Sequence, residues 1–491
     1  MFNITFGQFA AYPNSERVRG IYIAFAFFIF IGSFAPARAA TYTVTTNADA
    51  GAGSLRQAVL DANATADNDT IVFNIPSGSC LGGVCTITLT TTEITVDNNG
   101  TLTIQGTGAN VLTIDGGVGT NRIFYSNAAT FTLSGATLTG GNGAGASGGG
   151  GAIFVNGGTF VLFGVNITGN TAIGGGGLRY SGGTNHQITN STFSNNNGTN
   201  GGCGGFYNVN STLTVTNTTF SGNSTLGYGG GFCNAGTTTV RNSTIAGNTA
   251  SIDGGGIWNG IGTLNIGNSI VAGNVAPADI SFLTGTAPTT MGYNLIGNNT
   301  NVATQFPAGN PNANNDLVGT VGLPVLAELA PLNNYGGTTP TRALCTAFGV
   351  PNAACFGVSP ALDKGSLVAG VTTDQRGLTR PIDNPAIPNA TGGNGSDIGA
   401  FEHQIITAAT VSISGRIVNA QGRAISQARV SLTDMSGNTR TALSSAFGYY
   451  SFEDVEAGAT YIVAVQSKRF TFAPQVVSVN DNISDLDFIA E

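Results

Sequence analysis

The sequence predicts an all-β chain, a parallel β-helix followed by a small β-sandwich, and three observations carry that prediction. First, five successive segments close on an Asn, at Asn170, Asn196, Asn223, Asn248 and Asn274, with gaps of 26, 27, 25 and 26 residues. So steady a repeat marks a stacked architecture. Second, apolar columns run through the segments. Ile167, Phe193, Phe220, Ile245 and Val271 stand three residues before the closing Asn, and Leu162, Ile188, Val215, Val240 and Ile266 stand eight before. Apolar residues flanked by polar ones at period two form strands with one buried face. Third, no segment carries a helical pattern between its strands, so each coil is built from short strands alone.

Stacking explains the residue choices. Coils about 4.8 Å apart, the ordinary strand spacing, place like on like. Ile on Val and Phe on Phe fill a narrow core, and Asn on Asn lets each amide bond the next. A further column, Gly164, Asn190, Asn217, Asn242 and Asn268, lies six before the closing Asn. Gly and Asn tolerate the left-handed backbone of a sharp bend. Glycine runs at 174–177, 229–231 and 254–256 permit tight corners. No coil buries its apolar face alone, so the units are stable only as a stack.

The chain of 491 residues is long enough for several domains. Its 9% of charged residues is far below the ~25% of an average globular protein. Low charge with 74 glycines often means disorder, but periodic apolar columns argue for a packed core. A net charge of −8 with two lysines leaves no basic patch for nucleic acid. Residues 1–39 read as a signal peptide: Arg17 and Arg19, an apolar run at 21–34, then Ala37-Arg38-Ala39. The run is short for a bilayer, and no later segment approaches 18 apolar residues, so no transmembrane segment is expected in the mature chain. Six cysteines fit an oxidising compartment. Cys80 and Cys85, and likewise Cys345 and Cys355, are close enough to close small loops. Cys203 precedes Phe206 by three and Cys233 follows Phe232 by one, an offset that argues against a bridge between adjacent coils.

In chain order, residues 40–85 read as an N-terminal cap of strand, helix and strand. Ser54-Leu55-Arg56-Gln57 is a capping box, and the helix puts Leu55, Ala58, Val59 and Ala62 on one face to cover the open end of the core. Residues 86–300 are the β-helix, irregular to about 141, clear to Asn274, with one more coil at 293–298. Residues 301–405 hold C-terminal coils and a cap. There the charges return, and Arg376 and Arg380 are expected to pair with Asp363, Asp383 or Asp397 at the frayed end of the solenoid. Residues 410–491 alternate in short strands between Gly and Asp/Asn turns, as in a small β-sandwich.

Several motifs match known families. Val44-Thr45-Thr46-Asn47-Ala48-Asp49 with Gly53-Ser54-Leu55-Arg56-Gln57-Ala58 resembles the CSLREA-type N-terminal segment of bacterial surface proteins. The coils resemble the right-handed parallel β-helix repeats of polymorphic outer-membrane and adhesin-like proteins. Ser359-Pro360-Ala361-Leu362-Asp363-Lys364-Gly365, Thr373-Asp374-Gln375-Arg376-Gly377 with Arg380-Pro381, and Asp397-Ile398-Gly399-Ala400-Phe401-Glu402 resemble, in order, the choice-of-anchor Q domain. Residues 411–491, marked by Gly415, Gly422, Ile425, Ala428, Val430, Gly448-Tyr449-Tyr450-Ser451-Phe452, Gly458 and Tyr461, resemble the carboxypeptidase regulatory-like domain, a transthyretin-like sandwich. These resemblances imply an exported bacterial surface or extracellular protein and bring no catalytic motif.

Between Thr101 and Thr300 the charged residues are Asp115, Arg122, Arg179, Arg241, Asp253 and Asp279, with His186 the one titratable imidazole. Polysaccharide hydrolases need clustered carboxylates, and lyases need a cation and a strong base; the pattern offers neither cluster. His186 falls in an inward column with Phe160, Leu213, Thr238 and Leu264, where a neutral core histidine is expected. Asp253 and Asp279 each lie five residues after a closing Asn and are expected to stack about 5 Å apart. They are read either as solvated loop carboxylates or as metal ligands for Ca²⁺. N-x-[ST] triplets such as Asn166-Ile167-Thr168 follow from the fixed columns of the stack.

The leading expectation is therefore a non-enzymatic, adhesin-like β-helix protein, secreted or on the outer cell surface. It would carry about eleven coils over ~50 Å and outward Thr, Asn and Ser ladders toward an extracellular glycan, matrix or cell-surface ligand. The alternative is a polysaccharide-active lyase or hydrolase of the parallel β-helix type using Asp253, Asp279 or the charged segment 374–402.

Overall fold

The computed structural model describes residues 39–491 apart from 98–99, 118, 120, 144–148, 285, 405–409, 435–436, 458 and 480. Residues 1–38, which hold the expected signal peptide, lie outside the described residues. Ser54 caps the N-terminal helix as expected, but only half of the capping box forms: Gln57 Nε2 donates to Asp61 Oδ1 at 2.8 Å and the Ser54 N–H to Gly51 O at 3.1 Å. Ser54 Oγ accepts the Gln57 N–H at 3.2 Å at the start of the helix Leu55–Asn63, which buries Leu55, Ala58, Val59 and Ala62. Before it, Thr41–Val44 pairs in parallel with Asp69–Phe73, which pairs with Thr101–Gln105, so the cap is hydrogen-bonded into the solenoid wall. One Asp49 oxygen meets Arg56 at 2.7 Å, and the other accepts the backbone and hydroxyl donors of Thr90 and Thr91 at 2.9–3.1 Å.

The solenoid has a narrow sheet of ten parallel strands, one per coil, running from Cys85–Thr88 to Leu317–Val318. The extra coil expected near residue 295 is present as Leu295–Ile296, and Leu317–Val318 adds another where the sequence pattern loosens. The facing wide sheet has two strands in most coils, fused into one long strand at Phe206–Thr216 and Phe232–Arg241. The predicted columns are in register. Leu162, Ile188, Val215, Val240 and Ile266 pair in succession, as do Ile167, Phe193, Phe220, Ile245 and Val271, and all are fully buried. Asn190, Asn217, Asn242 and Asn268 take φ of 45–52°, the left-handed bend expected of that column. The closing asparagines form a ladder: the Nδ2 of Asn170, Asn196, Asn223 and Asn248 each donates to Oδ1 of the next at 2.9–3.0 Å.

Two expectations are corrected. Cys203 and Cys233 do form a disulfide, with Cα atoms 5.7 Å apart. Tyr207, not Cys203, is in register with Cys233. The chain turns a corner through Gly204 and Gly205, whose N–H groups bond the next coil, so an offset of several residues along the sequence is not a distance along the stack. Cys80–Cys85 and Cys345–Cys355 are bridged as well.

The second correction concerns the charged C-terminal segment. Val302 and Phe306, both fully buried in the solenoid core, close the apolar end. Residues 325–402 instead run back along the outer face of the narrow sheet. There Ile270, Ala272, Leu295 and Leu317 pack against Ala330, Leu344, Leu362, Ile398 and Phe401. The attachment reaches earlier coils through Gln375, which bonds Thr192 and Thr219, and through the Ala400 N–H on Thr244 Oγ1. Leaving Ile270, Leu295 and Leu317 in water would be unfavourable, by about 25 cal/mol per Å² of apolar surface, which gives this face its cladding. Arg376 pairs with Asp374 and Arg380 with Glu402, both at 2.7 Å, rather than with Asp363, Asp383 or Asp397. The Thr192, Thr219 and Thr244 ladder is therefore covered rather than presented outward.

The C-terminal domain is a β-sandwich with its own core. One sheet places Thr410–Val418 between Tyr449–Glu456 and Phe488–Ile489. The other runs Thr439–Leu443, Arg429–Asp434, Ala459–Gln466, Gln475–Val479. Ile413, Val430, Leu432, Phe452, Val463 and Phe488 are buried between them.

Candidate functional site

The first strand of the wide sheet in each coil begins with an inward residue: Phe124, Ile153, Leu178, Phe206, Phe232 and Ile257, all fully buried. Strand alternation turns the next residue outward. That places Tyr125, Phe154, Arg179, Tyr207, Cys233 and Trp258 in one column, paired residue to residue across five successive steps. At the strand spacing the column is about 24 Å long.

The side chains touch along it. Tyr125 and Phe154 have ring centroids 5.5 Å apart, and the Arg122 guanidinium lies 5.5 and 5.1 Å from those two rings. The Arg179 guanidinium lies 5.8 Å from the Phe154 ring and 5.6 Å from the Tyr207 ring. Tyr228, from the preceding loop, is 38% exposed and packs 5.2 Å from Trp258, the only tryptophan of the chain. Gly260 makes room for the indole: a Cβ there would stand 2.5–2.6 Å from two of its ring carbons. Around Tyr207, Tyr228 and Trp258 lies a cavity of about 330 Å³, also lined by Ile173, Arg179 and the Cys203–Cys233 disulfide.

The two arginines differ in electrostatic environment. Arg122 pairs with Glu93 at 2.5 Å and donates to Gly149 O at 2.8 Å. Arg179 makes no hydrogen bond or ion pair with the described residues, and its Nε is sealed from solvent without a partner. Burial, with the like charge of Arg122, pulls its pKa below the ordinary arginine value.

The residues singled out from sequence lie elsewhere. Ile280 follows Asn274 by six positions, but Ile257 follows Asn248 by nine. Because Ile257 pairs with Ile280, the shorter loop moves Asp279 into the column of Gly256 while Asp253 pairs with Tyr228. The two aspartates therefore do not stack. Asp253 accepts the Gly254 N–H at 2.8 Å and Asn301 Nδ2 at 2.6 Å. Asp279 is buried rather than a solvated loop residue. It accepts Asn274 N–H and Nδ2 at 3.0 and 2.8 Å and the Asn298 N–H at 2.9 Å, and burial outweighs these donors to push its pKa up to about 6. It also borders a cleft of about 490 Å³ shared with Glu328 and Arg342. Among the described residues no three His, Cys, Asp or Glu side chains gather as a metal site.

His186 is 1% exposed. Its Nδ1 accepts the Phe160 N–H at 2.9 Å and its Nε2 sits 3.0 Å from Gly182 O, so the neutral ring carries its proton on Nε2. Burial lowers its pKa, as the inward column implies.

Residues 412–490 match the carboxypeptidase regulatory-like domain family, in agreement with the sandwich. A search of curated proteins finds no match to the chain. Among the described residues, no helix is long and apolar enough to cross a membrane.

Proposed function

We propose that this chain is an exported, non-enzymatic β-helix protein of the bacterial surface or extracellular space, adhesin-like, which binds glycan along the Tyr125–Trp258 column. The observation that carries the reading is the cavity walled by Tyr207, Tyr228 and Trp258. Flat, half-buried rings offer apolar area to the C–H faces of sugars, and the phenol and indole edges keep a polar handle. Spread over successive coils about 4.8 Å apart, the column runs in the direction that suits a polymer lying along the stack. No residue of the column is a carboxylate, so it offers neither the acid nor the base that glycoside hydrolysis uses. Three disulfides favour an oxidising compartment. The CSLREA-like and choice-of-anchor Q-like motifs favour attachment or release at the cell surface, with the sandwich as a binding or spacer module.

The second reading is a polysaccharide-active lyase or hydrolase. It rests on Asp279, whose pKa of about 6 lies in the range of a general acid, beside a cleft that also holds Glu328. A glycan-array screen of the mature chain with and without calcium, followed by product analysis of every hit, separates the two. Binding without turnover supports the first; calcium-dependent cleavage lost in Asp279→Asn supports the second.

A further inference from the structure

Resting on the glycan reading above, we infer that the cavity at the Cys203–Cys233 disulfide takes an acidic sugar, with the carboxylate of a uronic acid unit held by Arg179. Arg179 is a half-buried cation with no hydrogen bond or ion pair to the described residues, in a column that supplies no acid. An uncompensated, partly desolvated charge is unfavourable, and Arg122, which flanks the column, shows the usual remedy in its 2.5 Å pair with Glu93. The Phe154 and Tyr207 rings flank the Arg179 guanidinium at 5.8 and 5.6 Å, which fixes its plane. A fixed planar fork matches a carboxylate with two parallel N–H···O bonds. Gly174 leaves the approach open: a Cβ there would stand only 3.0 Å from Nη1. The volume of about 330 Å³ is at the lower end of small-ligand cavities, enough for one sugar ring stacked on Trp258 with its carboxylate toward Arg179.

The test is calorimetric titration of the full mature chain with oligomers of galacturonate, of mannuronate and guluronate, and of glucuronate. Each is compared with its methyl ester and with a neutral oligosaccharide of the same length. At least one acid should bind about 10- to 100-fold more tightly than its ester, the worth of a charge-assisted pair, and this preference should shrink as salt is raised. Arg179→Gln should bring the affinity for the acid down to about that of its ester, and Arg179→Lys should restore part of the preference. Equal binding of acid and ester, or a preference that survives Arg179→Gln, overturns the acidic-sugar site and leaves the glycan reading standing. If no acid, ester or neutral oligosaccharide binds, both are overturned.

Discussion

Asn274 donates its backbone N–H and its side-chain amide to one oxygen of Asp279, at 3.0 and 2.8 Å. Four asparagines before it do the same to the next asparagine in the stack, so Asp279 is where the ladder stops. A second ladder ends alike. The Thr218 N–H donates to Ser243 Oγ, Ser243 to Ser269 Oγ and Ser269 to Asn294 Oδ1, and Asn294 gives both its donors to Asp316 Oδ1 at 2.8 and 3.0 Å. A carboxylate accepts from both sides and needs no further acceptor, which suits the last rung of a directional ladder.

Asp279→Ala therefore strands two half-buried donors of Asn274 and one of Asn298. At about 1–3 kcal/mol for each buried unsatisfied donor, and with water relieving some, a loss of about 3 kcal/mol is expected in urea unfolding. Asp279→Asn keeps an acceptor for Asn274 and should lose much less. Equal losses in the two variants would contradict the ladder role.

The same carboxyl sets a pH dependence. Its pKa is about 6 in the fold and 3.8 unfolded. Between those values the folded chain holds more protons, and stability falls as pH rises. The effect is about 3 kcal/mol, present in full below pH 3.8 and lost above pH 6. Asp363 is also raised to about 6 by burial, and Asp316 moves the same way. Asp49 acts in the opposite sense: burial raises it, but Arg56, Thr90 and Thr91 prevail and hold it at about 2, so its contribution fades as pH drops below 3.8. Burial lowers the pKa of His186, which favours neutral pH. Calorimetric melting from pH 3 to 8 should show wild type more stable near pH 4 than near pH 7 relative to Asp279→Asn, a difference that cancels the other groups. Parallel curves would contradict the assignment.

Ile245 lies between Phe220 and Val271 in the core column, fully buried. Ile245→Asp places a charge there without a partner and should exceed the total stability of about 5–15 kcal/mol usual for a domain. Loss of the far-ultraviolet β signal and of soluble expression is expected; a variant that melts like wild type would contradict the register.

Gly260→Ala should displace the Trp258 indole, because the new methyl carbon would meet two ring carbons at 2.5–2.6 Å. Glycan affinity is expected to fall about tenfold, with stability reduced by less than the cost of a core substitution. Unchanged affinity would remove Trp258 from the site.

Much of the core was legible because the sequence repeats it. Leu162 to Ile266 and Ile167 to Val271 keep one chemical type through five coils, and the helix face Leu55, Ala58, Val59 and Ala62 follows its own N-cap, Ser54. The outward column was not legible by identity, since Arg179 and Cys233 interrupt the aromatic Tyr125, Phe154, Tyr207 and Trp258. Its signal is positional: each follows the first inward apolar residue of its coil. Asp279 misled because the loop after Asn274 is three residues shorter than the loop before it, so counting from the closing Asn slipped the register. The cladding at 325–402 has a trace in the outer column of the narrow sheet, which changes from Thr192, Thr219 and Thr244 to Ile270, Leu295 and Leu317.

The most direct measurement uses the single tryptophan of the chain as its reporter. Oligosaccharides that bind in calorimetry are titrated while Trp258 emission is followed. The glycan-binding account predicts a saturable change in intensity or wavelength with the same Kd as the heat signal, and loss of that binding in Tyr207→Ala. Calorimetric binding that leaves Trp258 emission untouched, or no binding by any glycan, would contradict it.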